Sequence, residues 1–146
     1  MARRHQSLIP LSHEHHDGLQ LVWRLRIGDL ASRDIALRIK HALAFYEHRL
    51  TKHFEAEERA LFAAVRAALG AEASMLDNLI LEHRELAAKA AALKAGQEAE
   101  LVPFCELLEG HIRTEERQLF KLIEERMKPA ELDALGPCVK QLLGLP

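Results

Sequence analysis

One ten-residue pattern that suits metal binding occurs twice in the sequence. H-x-x-x-E-E-R-x-L-F spans residues 53–62 and again residues 111–120, with six identical residues in each copy. An α-helix turns about 100° per residue, so positions four apart face nearly the same way. A histidine and a carboxylate at that spacing can reach one point together. The two pairs are His53 with Glu57 and His111 with Glu115.

A shorter pattern, L-x-x-E-H, accompanies the first at residues 11–15 and 79–83. Around the histidine that ends each pattern, apolar residues within about two turns lie on the same side of the helix. Trp23 is one of those near His15. His15 and His83 are therefore predicted to point inward. The order of the four patterns indicates two related helix pairs.

Four helices would then bring six nitrogen and oxygen ligands to one region of the core. The predicted metal ligands are His15, His53, Glu57, His83, His111 and Glu115. Ionised carboxylates in an apolar interior are costly unless they are paired or bound to a cation. Imidazole and carboxylate suit iron, manganese or zinc. Six ligands are too many for a single catalytic zinc, so the site is predicted to hold two metals. The two glutamates could bridge them.

Neighbouring residues offer alternatives to this ligand set. His13 and His16 flank His15 and could replace it if the helix register differs by a turn, although solvent is expected near His13. Glu58 and Glu116 lie five positions after the histidines, about 140° away, and are expected to meet solvent or basic partners. For each H-x-x-x-E pair, the alternative to metal binding is a surface ion pair worth a few tenths of a kcal/mol.

Composition limits the class of protein. A chain of 146 residues predicts one domain, residues 1–146. The net charge of -2, from 20 basic and 22 acidic residues, gives no electrostatic reason to bind nucleic acid or an anionic membrane. No apolar run is long enough to cross a bilayer, and no secretory signal is present. Cys105 and Cys138 lack C-x-x-C spacing and are predicted to be buried thiols in a reducing, cytoplasmic compartment.

Helix-forming residues dominate, so an all-α fold is predicted. After an extended lead-in over residues 1–10, the expected helices cover 12–27 with Ser12 as cap, 32–69 with Ser32 or Asp34 as cap, 72–95, 98–128, and 130–143 with an interruption at Gly136-Pro137. Short connections favour an antiparallel up-down-up-down four-helix bundle. Its core would span about residues 11–128, and the short fifth helix in 129–146 would cover one end.

These residues resemble the hemerythrin family, in its bacterial HHE cation-binding branch. The resemblance covers residues 11–125 and is carried by the two H-x-x-x-E-E segments and the two E-H pairs in matching order. It implies a four-helix bundle with a non-haem di-iron centre. Such a protein binds or senses dioxygen, nitric oxide or peroxide, or handles iron, and zinc or manganese are alternative occupants.

Two positions depart from the oxygen-carrying hemerythrins. Those proteins have a histidine pair four apart on the third helix, and the earlier position is Leu79 here. They also have an aspartate five residues after the last-helix histidine, where this chain has Glu115 at four and Glu116 at five, so either glutamate is a candidate. A site short of one histidine can bind exogenous ligands at both metals without carrying oxygen reversibly.

Other functions remain as alternatives. A structural or regulatory helical domain could hold zinc or a mixed metal at the same residues. Repair of iron-sulfur clusters ranks lower, because an additional cysteine-bearing N-terminal domain is absent from this sequence. A binuclear hydrolase is weakest, since no nucleophile motif or Gly-rich phosphate loop is present. The sequence does not decide between a monomer and a homodimer.

Overall fold

The computed structural model of the protein describes residues 3–146, which form five helices and contain no strand. The helices are α1 (Ile9–Arg26), α2 (residues 35–69), α3 (Met75–Lys94), α4 (residues 101–126) and α5 (Pro129–Leu143). Residues 1 and 2 of the predicted lead-in lie outside this range. Within it, no helix has both the length and the apolar character needed to span a membrane. The prediction of an all-α protein is confirmed.

Local sequence signals set several of the helix ends. The Asp34 carboxylate accepts a hydrogen bond from the Leu37 backbone N–H at 2.9 Å, so Asp34 caps α2 rather than Ser32. Gly70 and Gly96 follow α2 and α3 with φ angles of +54° and +94°. This backbone region is open to glycine at little steric cost, so both helices end near the predicted positions.

The start of α1 differs from the prediction. The helix begins at Ile9, and Pro10 lies in its first turn, where the missing N–H of proline costs no intrahelical hydrogen bond. Ser12 is therefore inside the helix and does not cap it. Its hydroxyl instead donates to the Glu116 carboxylate at 2.8 Å, which ties α1 to α4.

The fifth helix is also more regular than predicted, because it continues through Gly136-Pro137 without interruption. Its surface at Gly136 receives the N-terminal segment, where a Cβ would lie 2.9 Å from the Ser7 hydroxyl oxygen. That hydroxyl donates to the Leu132 carbonyl at 2.6 Å. Contact with Ser7 thus requires a glycine at this point of α5.

Both long helices α2 and α4 contain turns of π-helix. These turns are Tyr46–Leu50 and Glu57–Phe62 in α2, and Glu115–Leu119 in α4. Two of them begin at Glu57 and Glu115, the acidic members of the repeated pairs. Single π turns inside α-helices are rare and are frequently found at functional sites. The repeat in sequence is therefore also a repeat in backbone conformation.

The four long helices contact one another in a ring, with α1 and α3 each packing on α2 and α4, while α5 packs on α2. Buried apolar residues form two clusters. The first apolar cluster includes Leu11, Leu61, Leu79 and Leu119, together with residues of α5. The second apolar cluster includes Val22, Leu50, Leu86 and Leu108. On every long helix the predicted ligands lie between a residue of one cluster and a residue of the other.

The cysteines differ from each other. Cys105 is buried in α4, and burial raises the pKa of its thiol to about 11. Cys138 is exposed, so the prediction of a buried thiol is wrong there. It lies next to Val139, which is fully buried, and adjacent helix positions face about 100° apart.

Candidate metal centre

All six predicted ligands meet in the core. Their exposed fractions are 4% or less, and both glutamates are fully buried. The ligand atoms form two overlapping groups, each with its atoms within 4.8 Å of one another. One group is His15, His53, Glu57 and Glu115, and the other is Glu57, His83, His111 and Glu115. Both glutamates belong to both groups, which is the arrangement that two metals sharing two carboxylates would need.

The histidines are arranged as two pairs. The Nε2 atoms of His15 and His53 lie 3.0 Å apart, and those of His83 and His111 lie 3.2 Å apart. Two nitrogens about 2.1 Å from one ion and at right angles to each other would be about 3.0 Å apart. Each pair is thus spaced as two adjacent ligands of a single metal ion.

Glu57 stands between the two pairs. Its Oε2 lies 3.2 Å from His53 Nε2, and its Oε1 lies 2.9 Å from His83 Nε2. One carboxylate oxygen therefore faces each half of the site. Glu115 also stands between the two pairs but reaches both through a single oxygen, since its Oε1 lies 3.1 Å from His15 Nε2 and 3.2 Å from His111 Nε2.

The same carboxylates are incompletely satisfied. Among residues 3–146, Oε2 of Glu57 and both oxygens of Glu115 are buried without a hydrogen-bond partner. A buried polar atom without a partner costs about 1–3 kcal/mol, and more when it is charged. A cation in each group would satisfy these oxygens, so the residues fit a pair of metal ions.

The outer nitrogen of each imidazole is held by a glutamate of another helix. The hydrogen bonds run from Nδ1 of His15 to Glu116 at 2.6 Å, His53 to Glu14 at 2.8 Å, His83 to Glu58 at 2.7 Å, and His111 to Glu82 at 2.8 Å. We call these four glutamates the outer carboxylates. Each belongs to the preceding long helix, counting α4 as preceding α1. A carboxylate on Nδ1–H fixes the tautomer and leaves the Nε2 lone pair free for a metal.

The expectation that Glu58 and Glu116 meet solvent or basic partners is met only in part, because each also contacts an imidazole. Each lies about 140° around the helix from the preceding ligand histidine, but in a ring of helices that direction leads to the neighbouring helix as well as to solvent. Glu116 does meet a basic side chain, since Arg4 Nη2 lies 3.2 Å from Oε1. Its shortest contact is nevertheless with His15. The central position belongs to Glu115.

Glu14 and Glu82 are the acidic members of the two repeated E-H pairs, and the sequence alone assigns them no role. An acidic residue directly before an inward histidine faces about 100° away, toward the next helix. That offset was the available signal. It indicates a hydrogen bond to an imidazole only when the neighbouring helix is known to carry one at the same level.

Charges within the site raise the pKa values of three imidazoles, those of His15, His53 and His111. Burial disfavours a charge on His111, but attraction to Glu115 outweighs burial and raises the pKa of His111 to about 12. The surrounding glutamates likewise raise the pKa values of His15 and His53 against the effect of burial. Burial would raise the pKa of Glu57, but the charge of His53 and its hydrogen bonds hold it well below its usual range. A metal ion must therefore displace protons to bind.

The alternative histidines are not part of the centre. His13 and His16 are exposed on α1, on either side of the buried His15. The prediction that Trp23 shares the inward side of His15 is wrong, because its side chain is 56% exposed. Eight residues amount to a rotation of about 80° from His15, enough to bring the indole out of the core.

The fold and site define a helical protein with two overlapping buried clusters of histidine and glutamate, each able to hold a metal ion. The sequence model of the hemerythrin HHE cation-binding domain matches residues 7–123, which include all six predicted ligands. The chain therefore belongs to the hemerythrin family, as the resemblance in sequence indicated. Comparison with curated proteins and with solved structures gave no match. Family membership and the buried clusters together indicate a metal-binding protein.

Proposed function

We propose that the protein binds two iron ions through His15, His53, Glu57, His83, His111 and Glu115. The observation that carries this proposal is the sharing of Glu57 and Glu115 by two histidine pairs. Donors of this kind also suit zinc and manganese, and membership of the hemerythrin family favours iron. Each half offers two imidazoles and the two shared carboxylates, which together do not complete an octahedral shell.

Iron with open positions supplies binding of small diatomic ligands and redox chemistry. We propose that this protein binds or senses dioxygen, nitric oxide or peroxide, or handles iron. Its own residues hold the imidazoles in place and keep water away. Phe54 stacks on His83 with ring centroids 3.9 Å apart, and Phe120 stacks on His15 at 5.5 Å. Leu79, at the position of the missing histidine, is buried in the first apolar cluster.

The proposal includes an antiparallel four-helix bundle. Along the chain, α1 passes from the first apolar cluster to the second, α2 returns from the second to the first, and α3 and α4 repeat this alternation. The ring of helix contacts supports the same topology. Each helix then crosses the metal level once, in the direction opposite to its neighbours.

The test is anaerobic reconstitution with ferrous iron, followed by metal analysis and exposure to air. Two irons per chain and a new near-ultraviolet charge-transfer absorption are expected. His53→Ala should remove at least one iron, whereas His48→Ala, on the exposed side of the same helix, should retain both. Fewer than two irons in the unaltered protein, or equal iron in the two variants, would refute the proposal.

A structural metal is the second candidate. It is favoured by the position of the site between the two apolar clusters, where a cation would connect all four long helices. A resident zinc would then stabilise the fold in proportion to its binding free energy. Protein that retains zinc but not iron, and whose absorption does not change with oxidation, would support this candidate over the first.

A further inference from the structure

The two halves of the centre resemble each other inside the core but differ at the surface. Around His15, the outer carboxylate Glu116 also accepts hydrogen bonds from the Ser12 hydroxyl at 2.8 Å and from Arg4 Nη2 at 3.2 Å. Arg4 is anchored further by Glu124, whose Oε1 lies 2.6 Å from Nη1. The N-terminal segment thus lies over this half of the site.

Arg4 also covers the ring that packs on His15. Its guanidinium carbon lies 5.1 Å from the centroid of Phe120, which stacks on the His15 imidazole. His15 is therefore separated from solvent by a phenyl ring, a glutamate and an arginine that contacts both. Removal of Arg4 would leave Glu116 and Phe120 as the remaining cover.

The matching positions around His83 lack this cover. Glu58 is the counterpart of Glu116, and its side chain is 41% exposed against 25% for Glu116. The counterpart of Ser12 in the repeated L-x-x-E-H pattern is Ile80, which has no polar side-chain atom to offer Glu58. The sequence repeat thus does not extend to the polar contacts on the outer surface.

A surface cavity of about 400 Å³ opens at this second half. Its walls include Tyr46, Phe54, Glu58, His83, Arg84 and Ala87. The His83 imidazole is itself part of the wall, and its Nε2 lies 3.2 Å from that of His111. One imidazole and the Phe54 ring therefore separate the cavity from the ligand atoms of this half.

We propose that this cavity is the port through which diatomic ligands reach the centre, and that they react first at the half held by His83 and His111. Arg4 covers the opposite half at His15, through its contacts with Glu116 and Phe120. The two halves consequently differ in the groups that cover them, although His15 and His83 are themselves almost equally buried, at 3% and 4% exposed. The order in which the two halves react rests on the proposed two-iron centre. The difference in access between the halves does not, because it concerns the protein without metal.

The first test uses iron-loaded protein whose content of two irons per chain has been verified, mixed anaerobically with nitric oxide in a stopped-flow instrument. Two kinetic phases are expected. Ala87→Trp, which fills the port, should slow the fast phase by about tenfold, equivalent to about 1.4 kcal/mol in activation free energy. Arg4→Ala should accelerate the slow phase and leave the fast phase unchanged.

Matched controls are Ala88→Trp, at an exposed neighbouring position of α3, and Arg3→Ala, also exposed. Neither should alter either phase. The inference is overturned if Ala87→Trp leaves the fast phase unchanged relative to Ala88→Trp, or if Arg4→Ala acts on the fast phase.

The second test separates this inference from the proposed function, because it uses metal-free protein. Dissolved dioxygen is paramagnetic and broadens the NMR signals of groups that it reaches. The imidazole signals of His83 should broaden more than those of His15, and Arg4→Ala should increase the broadening at His15. Equal broadening in the unaltered protein overturns the port, whereas failure to bind two irons refutes the proposed function and leaves this measurement to decide the access.

Discussion

Replacement of Glu82 tests whether the outer carboxylates prepare the histidines for metal. Glu82 accepts a hydrogen bond from His111 Nδ1 at 2.8 Å, and its side chain is 31% exposed. Removing such a partner from a metal-ligating histidine typically lowers metal affinity by about 10–100-fold, or roughly 1.4–2.8 kcal/mol. Glu82→Gln keeps an acceptor but loses the charge, so about tenfold is expected. Glu82→Ala loses both and should approach about a hundredfold.

The assay is competition between the protein and a metal-binding dye at fixed pH. Glu85→Gln and Glu85→Ala are the matched controls, because Glu85 is exposed on the same helix one turn further along. They should leave the affinity unchanged. If Glu82→Ala weakens binding by less than about threefold, below the range for a lost partner of a ligand histidine, the reasoning about the outer carboxylates is wrong.

Three further measurements test the centre and the fold. Glu57→Gln and Glu115→Gln should each reduce the iron content below two per chain, because both halves share these carboxylates. Elemental analysis that finds two irons per chain in either variant would contradict this. In metal-free protein the stabilisation contributed by protonated His111, whose pKa is raised to about 12, is complete below the unfolded pKa of about 6.5 and is lost as the pH rises toward 12. Metal binding displaces such protons, so competition titrations should show tighter binding at about pH 8 than at about pH 6, and an affinity independent of pH would refute this. In urea unfolding, Gly110→Ala should raise the free energy of unfolding by about 0.5–1 kcal/mol, because its Cβ enters open space. Gly136→Ala should lower the free energy of unfolding, because its Cβ would meet Ser7. The reverse order would show that the packing of α5 is misjudged.

Much of the candidate centre follows from the sequence because its predicted ligands are spaced along single helices. His53 with Glu57 and His111 with Glu115 are four residues apart, and helix geometry alone places each pair on one face. The repeat identified the pairs as equivalent. The helix ends at Gly70 and Gly96 depend on local backbone preferences in the same way.

Contacts between helices could not be derived in this way. The hydrogen bond from His53 to Glu14 joins residues 39 positions apart, and that from His15 to Glu116 joins residues 101 positions apart. Their existence depends on the rotation and height of two helices relative to each other. The sequence specified that the four histidines point inward, but the orientation of each imidazole was decided only when a neighbouring helix supplied a carboxylate at the same level.

The difference between the two halves is likewise tertiary. The two copies of the ten-residue pattern share six residues, including both predicted ligands, and from them alone the halves would be judged equivalent. Arg4, far from either copy in sequence, covers one half, and the cavity at Glu58 opens the other. The sequence therefore determined the predicted ligand set and the helices that carry it, because these depend on short-range periodicity. The packing of distant segments decided how the ligands are held and from which side they can be reached.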